Sequence, residues 1–227
     1  MKTKIIFSDF DGTLTDHTEF SSTFIDIINY SFDKNIPFII VTGRSLSWAH
    51  FFLTHFSKLN YVISEGGGVL SYRDERGNIV NEYQIDEAKL EKLKIFCINL
   101  KEKFPEISLS ADSIGRVTDR AIELHDLEDI ATMQRVTDLM DKNGITYSTS
   151  NVHLNFWLGD ISKYKAVKNF ISKFYSDISL DETIFFGDSL NDQSMFEKLK
   201  NTVGVSNIKS VIDFLYSHMF NIMGCLI

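Results

Sequence analysis

The chain has 227 residues, 44% of them hydrophobic, which suits one large domain or a core with a smaller inserted domain. Its formal net charge of −8 argues against nucleic acid or an acidic membrane surface as a partner, but does not exclude a small anionic substrate. With two cysteines, a short N-terminal apolar run and no stretch of about 20 apolar residues, the sequence predicts a cytoplasmic protein without a membrane-spanning helix.

The first third of the chain alternates between strand and helix patterns. The apolar segments 4–10 and 36–43 predict buried strands, and between them apolar residues recur at helical spacing up to Phe32. A helix over 45–58 and a strand over 61–68 follow. This alternation favours a parallel sheet with right-handed crossovers.

The middle of the chain has a different pattern. Segment 68–83 predicts a hairpin, and after it strand pairs separated by helices indicate a separate α+β lobe over residues 84–158. The predicted elements of this lobe are a helix ending near Phe104, strands near 107–110 and 116–124, a helix near 127–142 and two strands within 145–157.

The alternating pattern resumes after residue 158. It comprises a helix with an apolar stripe up to Phe174, a strand over 183–188, a helix over 191–199, a strand over 202–205 and a terminal helix. We therefore expect an α/β protein: a Rossmann-like, parallel-sheet core of residues 1–83 and 159–227, with the α+β lobe inserted.

Polar residues follow the predicted core strands where each strand ends. The first strand is followed by Asp9 and Asp11, and later strand ends carry the residues Thr42, Gly43, Arg44, Glu65, Asp188, Ser189, Asn191 and Asp192. In an open parallel sheet, ligands bind beyond the carboxyl ends of the strands, so we expect these side chains to converge on one edge. Carboxylate oxygens suit Mg²⁺, which commonly bridges to a substrate phosphate.

The two acids of the first strand end suit phosphoryl transfer. Asp9 is the best-placed nucleophile, since carboxylates form aspartyl-phosphates, and Asp11 is placed to protonate a leaving alcohol and later to activate water. Gly12 allows a close backbone approach to phosphate. A lysine is needed to balance the charge, and the helix start near residue 162 offers either Lys163 or Lys165.

Four segments carry a resemblance to a known family. The stretches "DFDGTLTD", "VTGR", "SKYKAV" and "FGDSLND" resemble, in order and spacing, the four motifs of the haloacid dehalogenase superfamily of phosphotransferases. The third motif departs from the family pattern at Tyr164, where a glycine is usual. An α+β insert between the second and third motifs is similar to the large cap of the sugar-phosphatase branch.

The resemblance implies a role for each matching residue. Asp9 matches the nucleophile and a metal ligand, and Asp11 matches the general acid/base, whose backbone carbonyl also binds metal. Lys163 matches the lysine of the third motif, and Asp188 matches the metal-binding acid with Asp192 in support. The expected phosphate- or substrate-binding residues are Gly12, Thr42, Gly43, Arg44 and Asn191.

The expected function is that of a Mg²⁺-dependent phosphomonoester hydrolase that works through an aspartyl-phosphate. Its substrate would be a small phosphorylated metabolite, such as a sugar phosphate. Two alternatives remain: a phosphomutase on the same scaffold, and a catalytically inactive sugar-binding or regulatory protein. The sequence leaves the exact substrate and the oligomeric state open.

Several further residues have two interpretations. Glu65 is expected either to bind a substrate hydroxyl or to lie on the rim as a salt-bridged or solvated residue. His153, Asn155 and Trp157 share one face of a strand and could line a sugar pocket, but the solvated outer face of a sheet is the favoured interpretation. The same two alternatives apply to Arg116, Arg120 and His125.

Overall fold

The computed structural model describes residues 3–16, 19–149, 153–205 and 208. Within these residues the chain forms β1 (Ile5–Ser8), β2 (Thr15–Asp16), β3 (Glu19–Phe20), α1 (Ser22–Asp33), β4 (Phe38–Val41), α2 (Leu46–His55), β5 (Tyr61–Ser64), β6 (Val69–Arg73), β7 (Ile79–Tyr83), α3 (Glu87–Lys103), β8 (Asp119–Glu123), α4 (Ile130–Lys142), β9 (Thr146–Thr149), β10 (His153–Trp157), α5 (Lys163–Phe174), β11 (Thr183–Gly187), α6 (Gln193–Lys198) and β12 (Thr202–Gly204). The predicted terminal helix lies outside the described residues. None of the helices in the described part of the chain is long and apolar enough to cross a membrane.

A seven-stranded sheet forms the larger lobe, in the order β12-β11-β1-β4-β5-β6-β7. The first five strands in this order are parallel, as the alternating pattern predicts. The last two are antiparallel, so the sheet is mixed and not purely parallel. The reason is local: tight turns follow β5 and β6, and each returns the chain beside the strand it has just left.

The core of this lobe lies on both faces of the sheet, because side chains alternate along each strand. Ile5 and Phe7 of β1 pack on one face with α5 and α6. On the other face Ile40 of β4 and Val62 of β5 pack with α1 and α2. A sheet covered by helices on both faces leaves its strand ends as the natural place for a site.

The smaller lobe has a core of its own. A three-stranded antiparallel sheet, β8-β10-β9, carries α3 and α4 on one face. Leu154 and Phe156 of β10 point into this core, as Leu93 of α3 and Val136 of α4 do. By the period of a strand, the alternate residues of β10 face the other way.

One predicted element of the smaller lobe begins later than expected. The strand predicted over 116–124 begins only at Asp119. The reason is that the backbone N–H groups of Val117 and Thr118 donate to the Glu65 carboxylate of the larger lobe. The strand predicted near 107–110 is reduced to a single bridge at Leu109.

Candidate active site

A pocket of about 290 Å³ lies between the strand ends of the large sheet and the outward face of the small one. Most of the predicted strand-end residues converge here, as the parallel part of the sheet requires, whereas Thr42, Asp188 and Asp192 are not among the residues that line the pocket. On the larger lobe the lining includes Asp9, Asp11, Gly43, Arg44, Lys163 and Asn191. From the smaller lobe it includes Arg116, Asp119, Tyr147, His153, Asn155 and Trp157.

Lys163 lies at the centre of the side of the pocket that the larger lobe forms, which we call the floor. It is the first residue of α5, whose start is capped by Ser162, and its side chain is 1% exposed. Its Nζ donates to Asp9 Oδ1 at 2.6 Å, to Asp192 Oδ1 at 2.6 Å and to Asn191 Oδ1 at 3.2 Å. Lys165 is half-exposed and paired with Asp160, so Lys163 is the one of the two candidates that reaches the acids.

Three buried carboxylates lie close together at this floor. Asp9, Asp188 and Asp192 each place an oxygen within 4.8 Å of the others. Burial raises the pKa of the Asp9 carboxyl well above its ordinary value; Lys163 opposes this effect, whereas Asp192 adds to it. Although burial alone would lower the pKa of Lys163, the two carboxylates that it contacts raise it, so this lysine stays charged.

These carboxylates fit a hard divalent cation, because they outnumber the lysine that balances them and offer oxygen ligands. Asp192 is held by Lys163 and by the backbone. Its second oxygen accepts the backbone N–H groups of Asp188 and Ser189 at 3.1 and 3.3 Å. The other two carboxylates also have partners: Asp9 accepts from Lys163 Nζ at 2.6 Å, and Asp188 accepts from the Thr13 hydroxyl at 3.4 Å.

Asp11 lies on the other side of the floor, in an ion pair with Arg44. The guanidinium donates to both carboxylate oxygens, from Nη2 to Oδ1 at 2.6 Å and from Nε to Oδ2 at 2.8 Å. Arg44 also packs 4.7 Å from the ring of Trp48. The hydrogen bond to Asp11 raises the pKa of Arg44, so the guanidinium of this pair stays protonated. To act as an acid, Asp11 must give up one of these two bonds.

Thr42 and Gly12 shape the loops around these acids. Thr42 is fully buried, and its Oγ1 accepts the backbone N–H of Arg44 at 3.0 Å; its own hydroxyl proton has no acceptor in the part of the chain that the structure describes. Gly12 has a φ of 79°, which favours glycine, and its N–H donates to Thr15 Oγ1 at 3.0 Å. Both residues thus stabilise the turns that present Asp11 and Arg44.

Glu65 lines the pocket but is buried, so the interpretation as a salt-bridged or solvated rim residue was wrong, while binding of a substrate hydroxyl stays a prediction. It is 2% exposed, and Leu46 N donates to its Oε1 at 3.0 Å. From the smaller lobe it accepts the N–H of Val117 at 3.0 Å and both the N–H and the hydroxyl of Thr118, at 2.6 and 2.7 Å. The Glu65 carboxylate therefore links the two lobes by hydrogen bonds beside the pocket.

Arg116 and its partners form part of the side of the pocket that the smaller lobe contributes, which we call the roof. The guanidinium, 1% exposed, binds Asp112 through Nε and Nη2 and both oxygens of Asp119 through Nη1. Asn155 donates to Asp119 as well, at 3.2 Å. Burial raises the pKa of the Asp119 carboxyl to about 7, against the pull of Arg116, and Glu65 adds to the rise. This pairing with two acids was not foreseen from the sequence.

The exposed face of β10 is turned toward the pocket. His153, Asn155 and Trp157 line it, so the favoured expectation of a solvated outer face was wrong. Tyr147 and Ser148 of the neighbouring strand were overlooked, although they line the pocket too. Of the other residues with two interpretations, Arg120 donates to backbone carbonyls and His125 is exposed beside Asp126.

The chain matches known proteins over most of its length. The model of the haloacid dehalogenase-like hydrolases matches residues 6–119 and 99–213. A glucosyl-3-phosphoglycerate/mannosyl-3-phosphoglycerate phosphatase of Methanococcoides burtonii is 24% identical over 85% of this chain and 81% of its own length. A phosphoglycolate phosphatase of Methanobrevibacter smithii is 25% identical over 91% and 86%.

The fold is shared with solved structures. The sucrose-phosphatase of Synechocystis, solved with sucrose and phosphate, superposes with a TM-score of 0.68 at 15% identity, over 98% of this chain and 90% of that one. The family match and the named relatives confirm the predicted enzyme class, a phosphatase. The chain belongs to the haloacid dehalogenase-like hydrolases.

Proposed function

We propose that this enzyme is a Mg²⁺-dependent phosphatase that hydrolyses a small sugar phosphate through a phosphoryl group carried on Asp9. The observation that carries the proposal is the arrangement of Asp9: a buried carboxylate at the floor of a pocket, bound to a buried lysine and beside two further acids. A fold tolerates such a concentration of buried charge where a cation or a reaction uses it.

The proposed first step is attack of the Asp9 carboxylate on phosphorus. A bond forms between Asp9 and phosphorus, the bond from phosphorus to the leaving oxygen breaks, and protonated Asp11 gives that oxygen its proton. Lys163 holds one oxygen of Asp9 and contributes positive charge where phosphoryl charge accumulates. Thr42 and Asn191 are proposed to bind phosphoryl oxygens.

The proposed second step removes the phosphoryl group from Asp9. Water attacks phosphorus, Asp11 takes the proton that water loses, and the bond to Asp9 breaks to release phosphate. Asp11 then returns to its protonated state, so the cycle is balanced. Arg44 is proposed to hold Asp11 in place between the two proton transfers.

Asp9 and Asp188 are the side chains proposed to hold the metal, with the backbone carbonyl of Asp11 as a further ligand and Asp192 in support. When bound, the divalent cation offsets the charge of the phosphoryl group. The cluster of three buried carboxylates supports this assignment, since one lysine does not balance them.

The smaller lobe is proposed to act as the cap that selects the leaving group. We keep residues 84–158 as the cap and residues 1–83 and 159–227 as the core. The relatives named above act on phosphorylated small molecules, and one neighbour in fold is a sucrose-phosphatase, which supports a small phosphorylated metabolite as substrate. We also propose a cytoplasmic location.

Phosphate release tests the proposal. The purified enzyme is incubated with p-nitrophenyl phosphate and with hexose 1- and 6-phosphates, in Mg²⁺ and in excess chelator. We expect free phosphate in Mg²⁺ and none in chelator. Conversion of hexose 1-phosphate to the 6-phosphate without phosphate release would show a phosphomutase. No turnover of any substrate in Mg²⁺ would indicate an inactive binding protein.

A further inference from the structure

We propose that Glu65 is a positioning residue for the acid/base Asp11, and that it acts through Arg44. The proposal rests on the proposed function, in which Asp11 protonates the leaving oxygen. It goes beyond that function because it makes a hydrogen-bonded contact between the lobes a condition for proton transfer at the floor.

Glu65 has an unusual backbone conformation at the end of β5. Its φ is 52°, in the left-handed region that residues other than glycine seldom adopt, and the residue is buried. Two backbone hydrogen bonds hold the loop in this shape. Glu65 N donates to Arg44 O at 2.9 Å, and Gly66 N donates to Thr42 O at 3.1 Å. A residue held in such a conformation by its surroundings is typical of functional sites.

The side chain of Glu65 joins this loop to two further segments. Leu46 N, at the start of α2, donates to Oε1 at 3.0 Å. From the smaller lobe, the N–H and the hydroxyl of Thr118 donate to Oε2 at 2.6 and 2.7 Å, and Val117 N donates to Oε1 at 3.0 Å. A single carboxylate therefore binds the segment that follows Arg44 and the segment that precedes β8.

Arg44 lies between backbone groups that are fixed on both sides. Its own carbonyl accepts from Glu65 N, and its N–H donates to Thr42 Oγ1 at 3.0 Å. Two residues later, Leu46 N is bound by the Glu65 carboxylate. The side chain of Arg44 therefore extends from a fixed backbone when its guanidinium binds the two oxygens of Asp11, at 2.6 and 2.8 Å.

The pairing with Arg44 determines how Asp11 presents its proton. Once Asp11 is protonated, the oxygen without the proton can still accept from the guanidinium, and the protonated oxygen turns away from it. A proton donor must lie within hydrogen-bond reach of the leaving oxygen, so a displaced Arg44 would misalign the acid. The contact between the lobes thus keeps Asp11 aligned through Glu65 and Arg44.

Two substrates with the same ring test the proposal. Phenolate is a more basic leaving group than p-nitrophenolate, so phenyl phosphate depends on a proton donor far more than p-nitrophenyl phosphate does. In Mg²⁺, kcat/KM covers the steps up to release of the phenol and excludes the later attack of water. Asp11→Asn should therefore lower kcat/KM for phenyl phosphate by roughly a hundredfold more than for p-nitrophenyl phosphate.

Glu65→Gln should cause a selective loss of the same kind, at least about fivefold greater for phenyl phosphate. The exposed Glu75→Gln is the matched control and should leave the ratio of the two substrates unchanged. In the double variant Glu65→Gln/Asp11→Asn the ratio should equal that of Asp11→Asn alone, because Glu65 acts through Asp11.

Thr118→Val repeats the test from the other lobe. It removes one hydroxyl donor to Glu65, and Thr118 is not among the residues that line the pocket. We expect a selective loss for phenyl phosphate here too, and none in Thr146→Val, an exposed threonine of the same lobe. Without substrate or metal, the Arg44 Nε–H should exchange with solvent faster in Thr118→Val than in the wild type, as measured by ¹⁵N NMR.

Circular dichroism checks that each variant is folded, and Thr118→Val decides if Glu65→Gln fails to fold. Equal losses on both substrates in the deciding variant, a further selective loss in the double variant, or unchanged exchange at Arg44 would overturn the proposal. A selective loss in Asp11→Asn would still leave the proposed function standing. Equal losses on both substrates in Asp11→Asn would instead show that Asp11 is not the acid, which removes this step of the proposed function and the proposal with it.

Discussion

Lys163 and Lys165 show how much a difference of two positions along a helix decides. Both stand in the first turn of α5, yet one is buried between Asp9 and Asp192 and the other pairs with Asp160 at the surface. The Ser162 cap sets where the helix begins, and with it which lysine points inward.

This pair of lysines provides a test with its control built in. Lys163→Met leaves two buried carboxylates without their cation, so it should abolish turnover and cost about 3–5 kcal/mol of unfolding free energy. Lys165→Met changes an exposed side chain and should alter stability by no more than about 0.5 kcal/mol. Urea denaturation and phosphate release measure both. Similar behaviour of the two variants would contradict the assignment of Lys163.

Asp188 provides the corresponding test of the metal. Asp188→Asn keeps the shape of the side chain but weakens an oxygen ligand, so it should raise the Mg²⁺ concentration needed for half-maximal activity by roughly tenfold or more. The exposed Asp181→Asn is the control. Activity titrated against Mg²⁺, with calorimetry of metal binding, measures the shift. An unchanged Mg²⁺ requirement would remove Asp188 from the site.

Among the elements, the loop after β5 binds the smaller lobe directly. The carboxylate of Glu65 holds the segment before β8, and Gly68 lies so close to Thr118 that a Cβ there would come within 1.9 Å of the threonine hydroxyl. The close approach of Gly68 to Thr118 and the hydrogen bonds of buried Glu65 together position the segment that carries Arg116 and Asp119.

Glu65→Gln should loosen this contact. An amide NH₂ in place of one carboxylate oxygen would oppose backbone donors, and each buried donor left unsatisfied costs about 1–3 kcal/mol. We expect lower stability and faster amide hydrogen exchange at Val117 and Thr118. The exposed Glu75→Gln is the control. Unchanged exchange at both amides would show that Glu65 does not hold the loop.

Sequence patterns predicted the elements that depend on local periodicity. The apolar runs form β1 and β4 in the middle of the large sheet, and the acids Asp9 and Asp188, which follow β1 and β11, lie together at the carboxyl ends of these strands. The hydrogen bonds between Glu65 and the smaller lobe could not be predicted, because they join residues more than 50 positions apart. Their donors include backbone N–H groups, which no sequence pattern marks. The orientation of β10 was missed for a similar reason, since alternation shows that a strand has two faces but not which face meets the other lobe.

At the scale of the whole molecule, the two lobes divide the proposed work. The larger lobe contributes Asp9 and Lys163, and the smaller lobe contributes the roof, so contacts to the leaving group come mainly from the roof. His153→Ala should therefore alter selectivity among sugar phosphates by roughly 1–3 kcal/mol and lower kcat/KM more for them than for p-nitrophenyl phosphate. His125→Ala, at an exposed site of the same lobe, is the control. Equal losses on every substrate would contradict this division.

The most direct test of the account is detection of the phosphoryl group on Asp9. The enzyme is mixed with p-nitrophenyl phosphate in Mg²⁺, quenched in acid, digested and examined by mass spectrometry. Because p-nitrophenolate leaves without needing a proton, Asp11→Asn should slow mainly the second step, in which water attacks. We expect one phosphoryl group on the peptide that contains Asp9, in greater amount in Asp11→Asn, and none in Asp9→Asn. Turnover by Asp9→Asn near the wild-type rate, or a phosphoryl group on another residue, would contradict the central claim.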